Sequence, residues 1–258
     1  MPYVRWHMAQ DDEALGDDER MERQLVAIDL STISTSMQAE ILEELAAVRR
    51  RRQNYDGALE AYNRILGFAT NASYRALILR YEGETLQEVG RIQEAIAIYQ
   101  QVLQKYPSTS SATMVLDALD ALQAASIDDL HRGQILYYGG RYQQAVEVLE
   151  RYISGNPQGD MPRAHYFTGL AYTRLGQYGD AFRYFDVLIN QFPQDSLTGD
   201  AWMAKAQAAQ ANGGDPTGLY QEFARLYPGH ARAPEALWKA AQSMEGQKNW
   251  AQAASLYR

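Results

Sequence analysis

The chain has 258 residues, no cysteine and a formal net charge of −8 at neutral pH. The absence of cysteine excludes disulfides, redox-active thiols and thiolate metal sites, and the absence of a basic stripe argues against nucleic-acid binding. No run of eighteen apolar residues occurs, so the sequence predicts no membrane span.

Residues 1–38 form an acidic N-terminal segment that we predict to be partly helical. They contain eight acidic and three basic side chains and therefore carry most of the net negative charge. We expect residues 11–22 to be frayed ahead of a helix that begins near Glu22. Asp11, Asp12 and Glu13 interrupt the place where a signal peptide would have its apolar core. The chain is therefore either cytoplasmic or lacks its true N-terminus.

One set of spaced residues recurs three times along the chain with identical gaps. Each copy has a glycine, an alanine twelve positions later, a large apolar residue after four more and a proline after eight more. A fixed period of this kind is typical of a solenoid, in which each unit buries its apolar face only against its neighbours. The copies are Gly83, Ala95, Tyr99 and Pro107; Gly133, Ala145, Leu149 and Pro157; and Gly169, Ala181, Phe185 and Pro193.

The spacing within the last of these copies predicts a helical hairpin. Apolar residues recur at three- and four-residue steps across residues 164–175 and again across 178–189, which indicates two amphipathic helices. Gly176 separates the two helices, and the proline of the copy ends the second because proline cannot continue a helix. We expect Gly169 to let the helices approach closely while the ring of Phe185 fills the layer beside it.

Two weaker copies extend the pattern at its ends. The first, near residues 39–75, keeps a small residue and an aromatic but has Thr70 in place of the proline. The last, near residues 234–258, stops at Arg258, one residue past its aromatic Tyr257. Because natural solenoids end in a polar capping helix, we expect the chain to be a fragment of a longer protein. The alternative is that the helix ends there at a natural terminus.

Two irregularities interrupt the period. The copy near residues 197–233 has Pro216 where the second-helix alanine belongs and a longer turn at 212–215, so its second helix should start late and be short. The first two closing prolines are 50 residues apart, whereas the later ones are 36 and 35 apart. The extra residues have helical apolar spacing and an N-cap candidate within 110–113, which predicts an inserted helix. The predicted architecture is all-α, with about six helical hairpins near residues 39–75, 76–109, 126–161, 162–196, 197–233 and 234–258 and an inserted helix at 110–125.

The last complete copy resembles the tetratricopeptide repeat, a 34-residue helix-turn-helix. That family has a small residue in the first helix, an alanine and an aromatic in the second, and a late proline. The matching residues are Gly169, Tyr172, Tyr178, Ala181, Phe185 and Pro193.

This resemblance implies a right-handed α-solenoid whose concave face is lined by the first helix of each repeat. It places the groove residues beside the small residue of each first helix. Tyrosine, glutamine and arginine together suit a polar ligand such as a glycan strand or an extended peptide. The alternative is that individual tyrosines pack between repeats. The predicted groove residues are Arg80, Glu84, Gln87, Gln134, Tyr137, Tyr138, Tyr166, Thr173 and Arg174.

No catalytic motif occurs in the sequence. The four histidines are scattered, with no second histidine four positions away and no adjacent glutamate of the zinc-protease kind. A phosphate-binding loop and a nucleophile elbow are also absent. We therefore predict no catalytic residue, no metal site and no cofactor in this chain.

Four consecutive arginines occupy positions 49–52. They fall at the end of the first helix of the first repeat, where cations are favoured by the negative end of the helix dipole. A solvated helix terminus is one interpretation of this run. Contact with an anion or a polymer is the alternative.

Residues 127–133, 137–142 and 149–153 resemble the repeat region that precedes the catalytic domain of bacterial lytic transglycosylases. Residues 61–66 and 219–224 are similar to the same region. The resemblance implies that this chain is the non-catalytic N-terminal superhelix of an enzyme that cleaves peptidoglycan. It would hold the glycan strand or dock partners in the cell envelope or periplasm, and the catalytic Glu-Ser motif would lie beyond the end of the chain.

A second hypothesis assigns no enzyme to the chain. In it the repeats form a stand-alone adaptor that binds a protein or peptide in the groove and assembles protein complexes, and the compartment is then cytoplasmic. Both hypotheses predict a ligand in the concave groove, without nucleic acid and without a membrane span.

Overall fold

The structure, a computed structural model, describes residues 1–124, 127–155 and 158–256. Within these ranges the chain forms fifteen α-helices and one 3-10 turn, and no strand. The predicted all-α fold is therefore confirmed. Predictions that concern Ala125, Pro157, Tyr257 and Arg258 lie outside these ranges. The chain divides into two compact units, unit 1 at Met1–Ser126 and unit 2 at Ile127–Arg258.

Unit 1 consists of three helical hairpins and one further helix. Consecutive helices pack against each other as α1 with α2, α3 with α4 and α5 with α6, while α7 packs against both α5 and α6. A 3-10 turn at Leu30–Thr32 connects the first hairpin to the second. The helices are α1 at Pro2–Ala14, α2 at Asp18–Val26, α3 at Thr35–Arg51, α4 at Tyr55–Phe68, α5 at Ala72–Glu88, α6 at Ile92–Lys105 and α7 at Ser110–Ala121.

Unit 2 consists of four consecutive helix pairs. In each pair the two helices pack against each other, and α10 also packs against α8 and α12, the first helices of the neighbouring pairs. The helices are α8 at Asp129–Tyr138, α9 at Tyr142–Gly155, α10 at Met161–Arg174, α11 at Tyr178–Gln191, α12 at Thr198–Ala211, α13 at Thr217–Leu226, α14 at Ala233–Gly246 and α15 at Trp250–Leu256.

The recurring glycine and the large residue sixteen positions later are in direct contact. A methyl group built on Gly169 would lie 2.7 Å from Cε1 of Phe185, closer than carbon atoms can approach. The same construction on Gly83 meets the ring of Tyr99, and on Gly133 it meets the side chain of Leu149. The glycine is therefore required because the large side chain of the second helix occupies the space of its Cβ.

Every hairpin turn begins with a residue in the left-handed conformation. Its amide donates to the carbonyl three residues earlier and the next amide donates to the carbonyl five residues earlier, as Gly176 and Gln177 do. This arrangement is the Schellman motif, which favours glycine because a Cβ is strained at positive φ. In six hairpins this residue lies seven positions after the small residue: Gly16 at 73°, Gln53 at 60°, Gly90 at 80°, Gly140 at 76°, Gly176 at 74° and Lys248 at 62°. In the longer turn between α12 and α13 it is Gly213 at 82°.

We expect Gly176→Ala to lower the free energy of unfolding by about 1 kcal/mol. A Cβ on Gly176 would meet nothing within 4 Å, so the loss comes only from the left-handed backbone. Gly179→Ala is the matched control, because Gly179 lies in helix α11 with equally open space and without a positive φ. At position 179 the substitution should raise the free energy of unfolding by roughly 0.5–1 kcal/mol. Urea unfolding followed by circular dichroism measures both, and shifts of the same sign would contradict the prediction.

The prediction of a frayed N-terminal stretch is wrong. Residues 11–14 lie in α1 and residues 18–22 in α2, and the two helices form a packed hairpin ahead of the first predicted repeat. Ala9, Met21 and Leu25 are at most 2% exposed and keep the twelve- and four-residue spacing of the other hairpins. The hairpin is folded because it buries this stripe against α3 and its neighbours.

Both irregularities of the repeat period correspond to helices, as predicted, but the bounds of the inserted helix differ from the prediction. Helix α13 begins after Pro216 and has ten residues, so the short second helix is confirmed. The inserted helix α7 ends at Ala121, four residues before the predicted end, because Gln123 is left-handed at a φ of 50°. Its N-cap is Thr109, whose side chain accepts a hydrogen bond from the amide of Ala112, and lies outside the predicted range 110–113.

Candidate functional site

The arginine run at the end of α3 is paired with carboxylates of the N-terminal hairpin. Arg49 Nε lies 3.0 Å from Glu22 Oε1, and Arg51 Nη2 lies 2.8 Å from Asp18 Oδ1. Arg52 also pairs with Glu22. The fourth arginine, Arg50, pairs with Glu88 of α5. The run does lie at a helix end, but its charges are neutralised within unit 1, which leaves no cationic patch for an anion.

The three groove residues predicted in unit 1 lie along one side of α5. Arg80 forms an ion pair with Glu84 one turn later, and its guanidinium carbon lies 4.6 Å from the centroid of the Tyr81 ring. Gln87 is exposed, and its Oε1 accepts a hydrogen bond from the hydroxyl of Tyr99 at 3.2 Å. The pair of Arg80 and Glu84 is therefore largely satisfied within the helix.

The three groove residues predicted on α8 differ in accessibility. Gln134 is buried at 8% exposure and offers little surface to a ligand. Tyr137 is half-buried and contacts the rings of Tyr138, Tyr142 and Phe167 with centroids 5.5–5.7 Å apart. Tyr138 is 47% exposed, which is high for so large a side chain.

The three groove residues predicted on α10 also have different surroundings. The Thr173 hydroxyl donates to the carbonyl of Gly169 at 2.8 Å and is therefore occupied within its own helix. Tyr166 is half-buried, and burial raises its pKa to about 12, with Asp200 as the next cause. Arg174 is exposed, and its hydrogen bond to the Tyr137 hydroxyl raises the pKa of the guanidinium.

Unit 2 brings four of the predicted residues together around a ring that the sequence analysis did not select. Phe167 of α10 lies with its centroid 5.5–5.6 Å from those of Tyr137, Tyr138 and Tyr166. With Arg174 bonded to Tyr137, these residues make a continuous surface across α8 and α10. We call the set of Tyr137, Tyr138, Tyr166, Phe167 and Arg174 the aromatic patch.

The neighbours of the aromatic patch on the next helix pairs are charged. Arg232 pairs with Asp200 of α12 and with Glu235 of α14, the latter at 2.9 Å. Aromatic side chains and arginine are the residues that contribute most to protein–protein binding energy. Both residue types occur in the aromatic patch, which makes it the candidate binding surface of unit 2.

The described residues hold no arrangement suited to catalysis by a metal. In residues 1–124, 127–155 and 158–256, no group of three or more histidine, cysteine, aspartate or glutamate side chains is placed to bind an ion. His165 is buried, and burial lowers the pKa of its imidazole. Over the same ranges, none of the helices combines the length and the apolar character needed to cross a bilayer.

Family models identify the repeats directly. Three models described as tetratricopeptide repeat match residues 37–108, 130–196 and 235–258, which together cover more than half of the chain. The chain contains tetratricopeptide repeats. The matches include the helix pairs that carry the aromatic patch and the hairpins α3–α4 and α5–α6. No curated protein matches the sequence significantly.

Solved tetratricopeptide-repeat structures are similar along nearly the whole chain. A tetratricopeptide repeat protein from Parabacteroides merdae is 17% identical with a TM-score of 0.38, covering 99% of this chain and 90% of that one. The C-terminal part of a repeat protein from Cytophaga hutchinsonii is 18% identical with a TM-score of 0.42, covering 100% and 93%. The yeast Sti1 TPR2AB domain in complex with pHSP90 is 14% identical with a TM-score of 0.39, covering 99% and 95%.

These matches concern the repeats themselves. The resemblance to lytic transglycosylases gains no support from them and stays a prediction, as do the glycan ligand and the cell-envelope location that depend on it.

Proposed function

We propose that this chain is a non-catalytic scaffold that binds a protein or peptide partner on the first helices of its tetratricopeptide repeats. The observation that carries the proposal is the aromatic patch, in which Tyr138 is exposed on a base of packed rings. Such rings are held in place before binding, so a partner would lose little conformational freedom in ordering them. Arg174 adds a charged donor at the edge of the rings, where a partner carbonyl or carboxylate can accept.

The adaptor hypothesis is preferred over the transglycosylase hypothesis for one reason. Tetratricopeptide repeats explain the chain without any further domain, whereas the glycan-binding role rests only on short sequence phrases. Peptidoglycan fragments are therefore tested as a second class of ligand.

We expect Tyr138→Ala to weaken peptide binding by about 30-fold, the loss typical of a central interface aromatic. Peptides selected from a random phage-displayed library on the wild-type chain supply the probe, and isothermal titration calorimetry measures their affinities. Arg174→Ala should also weaken binding. Arg183→Ala is its matched control, because Arg183 is a 72% exposed arginine on α11, outside the patch.

Two outcomes would contradict the proposal. The first is that no library peptide is enriched on the chain. The second is that enriched peptides bind the Tyr138 and Arg174 variants as tightly as they bind wild type. A thermal-unfolding series with purified muropeptides runs in parallel, and a saturable stabilisation there would favour the glycan ligand instead. Tyr137 is avoided as an alanine variant because its three ring contacts make loss of stability the expected result.

A further inference from the structure

Three side chains of unit 2 that the proposed function does not use meet where α9, α10 and α11 pack together. Glu150 lies on α9, Tyr172 on α10 and Tyr184 on α11. The Tyr172 hydroxyl donates to Glu150 Oε1 at 2.6 Å, and the Tyr184 hydroxyl donates to the same oxygen at 2.7 Å. Both lengths are those of good hydrogen bonds from a hydroxyl to a carboxylate. A single carboxylate oxygen therefore holds two phenols side by side.

The rings of these two tyrosines are stacked. Their centroids lie 5.6 Å apart and their planes differ by 20°. His165 of α10 also contacts the Tyr184 ring, with centroids 5.7 Å apart. Because the hydroxyls share one acceptor and the rings are nearly parallel, the ring carbons beside each hydroxyl are brought close to those of the other ring. We call Tyr172 and Tyr184 the tyrosine pair.

The surroundings also determine how the tyrosine pair can lose protons. Burial, followed by the Glu150 carboxylate, raises the pKa of Tyr172 to about 12, and the same two causes raise the pKa of Tyr184. Both phenols are therefore protonated at neutral pH, so the removal of an electron from either ring requires the loss of its proton as well. Glu150 accepts the hydrogen bond from each hydroxyl and is placed to take that proton.

From this geometry we infer that the tyrosine pair is a site of oxidative modification, at which a peroxidase with hydrogen peroxide joins the two rings as dityrosine. Each phenol gives one electron to the oxidant and one proton to Glu150, which releases it to solvent. The two radicals form a carbon–carbon bond between ring positions beside the hydroxyls. The hydrogen on each coupled carbon then moves to the adjacent oxygen and restores both phenols. The two electrons and two protons reduce one hydrogen peroxide to two water molecules.

The bond would connect the two helices of one hairpin. Tyr172 and Tyr184 are twelve positions apart, on either side of the turn that contains Gly176. A covalent bond of this kind closes a loop and restricts the unfolded chain, so the oxidised chain should unfold at a higher temperature. Helix α10 also carries Phe167 and Arg174 of the aromatic patch, so oxidation would fix the orientation of that helix against α11. The inference does not depend on the ligand of the patch.

A second close pair of tyrosines in unit 2 provides an internal comparison. Tyr137 and Tyr142 have ring centroids 5.7 Å apart, almost the same separation as in the tyrosine pair. The Tyr137 hydroxyl, however, is bonded to the guanidinium of Arg174, which cannot accept a proton. We therefore expect the bond between Tyr172 and Tyr184 to form at least about tenfold faster than one between Tyr137 and Tyr142.

Oxidation of the dilute full chain by a haem peroxidase and hydrogen peroxide tests the inference. The monomeric product is digested with trypsin, and tandem mass spectrometry identifies peptides 164–174 and 184–205 joined with the loss of two hydrogen atoms. Tyr166 lies in the first of these peptides as well, so Tyr172→Phe is needed to assign the bond and should abolish it. The phenylalanine keeps the ring and removes only the hydroxyl.

Glu150→Gln tests the role of the carboxylate. Glutamine keeps an oxygen that accepts from both hydroxyls but cannot take their protons, so the bond should form at least about tenfold more slowly. Glu147→Gln is the matched control, because Glu147 is an exposed glutamate one turn earlier on α9, and it should leave the rate unchanged.

Four results would overturn the inference. The bond may fail to form, it may form no faster than the bond between Tyr137 and Tyr142, it may persist in Tyr172→Phe, or it may form at the wild-type rate in Glu150→Gln. Any of these would leave Glu150 with only a structural role, as a polar contact that joins three helices. Binding of the library peptides to the unoxidised chain is measured separately, so the scaffold function can stand when this inference fails.

Discussion

Replacing Phe185 with alanine lowers the free energy of unfolding of unit 2 by about 3–5 kcal/mol. Phe185 is fully buried, and its ring fills the space left by the missing side chain of Gly169. Removing the ring leaves a cavity between α10 and α11 that a rigid hairpin cannot close. The loss therefore includes both the transfer of the ring and the cavity.

Substitution of Gly169, the residue that contacts Phe185, tests whether this contact is the cause of the lost stability. Gly169→Ala alone should destabilise by about 1–3 kcal/mol, because its new methyl group would lie 2.7 Å from the Phe185 ring. In the Phe185→Ala background the same methyl group enters an empty space, so the cost should disappear or become a gain. The double-mutant cycle should therefore give a coupling energy well above 0.5 kcal/mol.

Urea unfolding followed by tryptophan fluorescence measures the cycle. Three of the four tryptophans, at 202, 238 and 250, lie in unit 2, so the signal reports mainly on this unit. Ala181 supplies a check, because Ala181→Leu overfills a fully buried position of the same hairpin and should also destabilise. Additive effects of Gly169→Ala and Phe185→Ala would show that the two side chains are not matched as the structure places them.

The hairpins that could be predicted are those in which a packing constraint restricts residue type. Gly169 must lack a Cβ because Phe185 occupies that volume, and Gly176 must tolerate a positive φ. Such constraints leave fixed spacings in the sequence. The α1–α2 hairpin keeps the spacing of Ala9 and Leu25 but has Met21 in the alanine position, and its many charges concealed the stripe.

The candidate site could be predicted only in part. The position beside each small residue identified Tyr137 and Arg174, which the structure joins by a hydrogen bond across α8 and α10. Phe167 was counted among the apolar stripe of α10, and its edge contacts with the groove tyrosines depend on the angle between two helices. The pairing of Arg49 with Glu22 was also beyond sequence reasoning, since periodicity does not specify which charges meet across 27 residues.

That pairing leads to the second large effect, in unit 1. We expect Glu22→Ala to lower the free energy of unfolding by about 2–3 kcal/mol. Glu22 and Arg49 are only 13% and 15% exposed at their side chains and lie 3.0 Å apart. Without the carboxylate, Arg49 keeps its bond to the carbonyl of Gly57 and a longer contact of 3.6 Å with the exposed Glu60, but loses the nearer, buried anion that balances its charge.

Glu19→Ala is the matched control for this prediction. It removes one negative charge from the same helix, but the pair of Glu19 and Arg23 is more than 60% exposed on both sides and should contribute less than about 0.5 kcal/mol. Hydrogen exchange of α1 and α2 in the full chain locates the loss, because Glu22→Ala should release these two helices from α3 before the rest of unit 1 opens. Equal effects of the two substitutions would mean that burial adds nothing to the pair of Glu22 and Arg49, and that other contacts, such as the packing of Met21 and Leu25 and the pair of Arg51 and Asp18, hold the hairpin on α3.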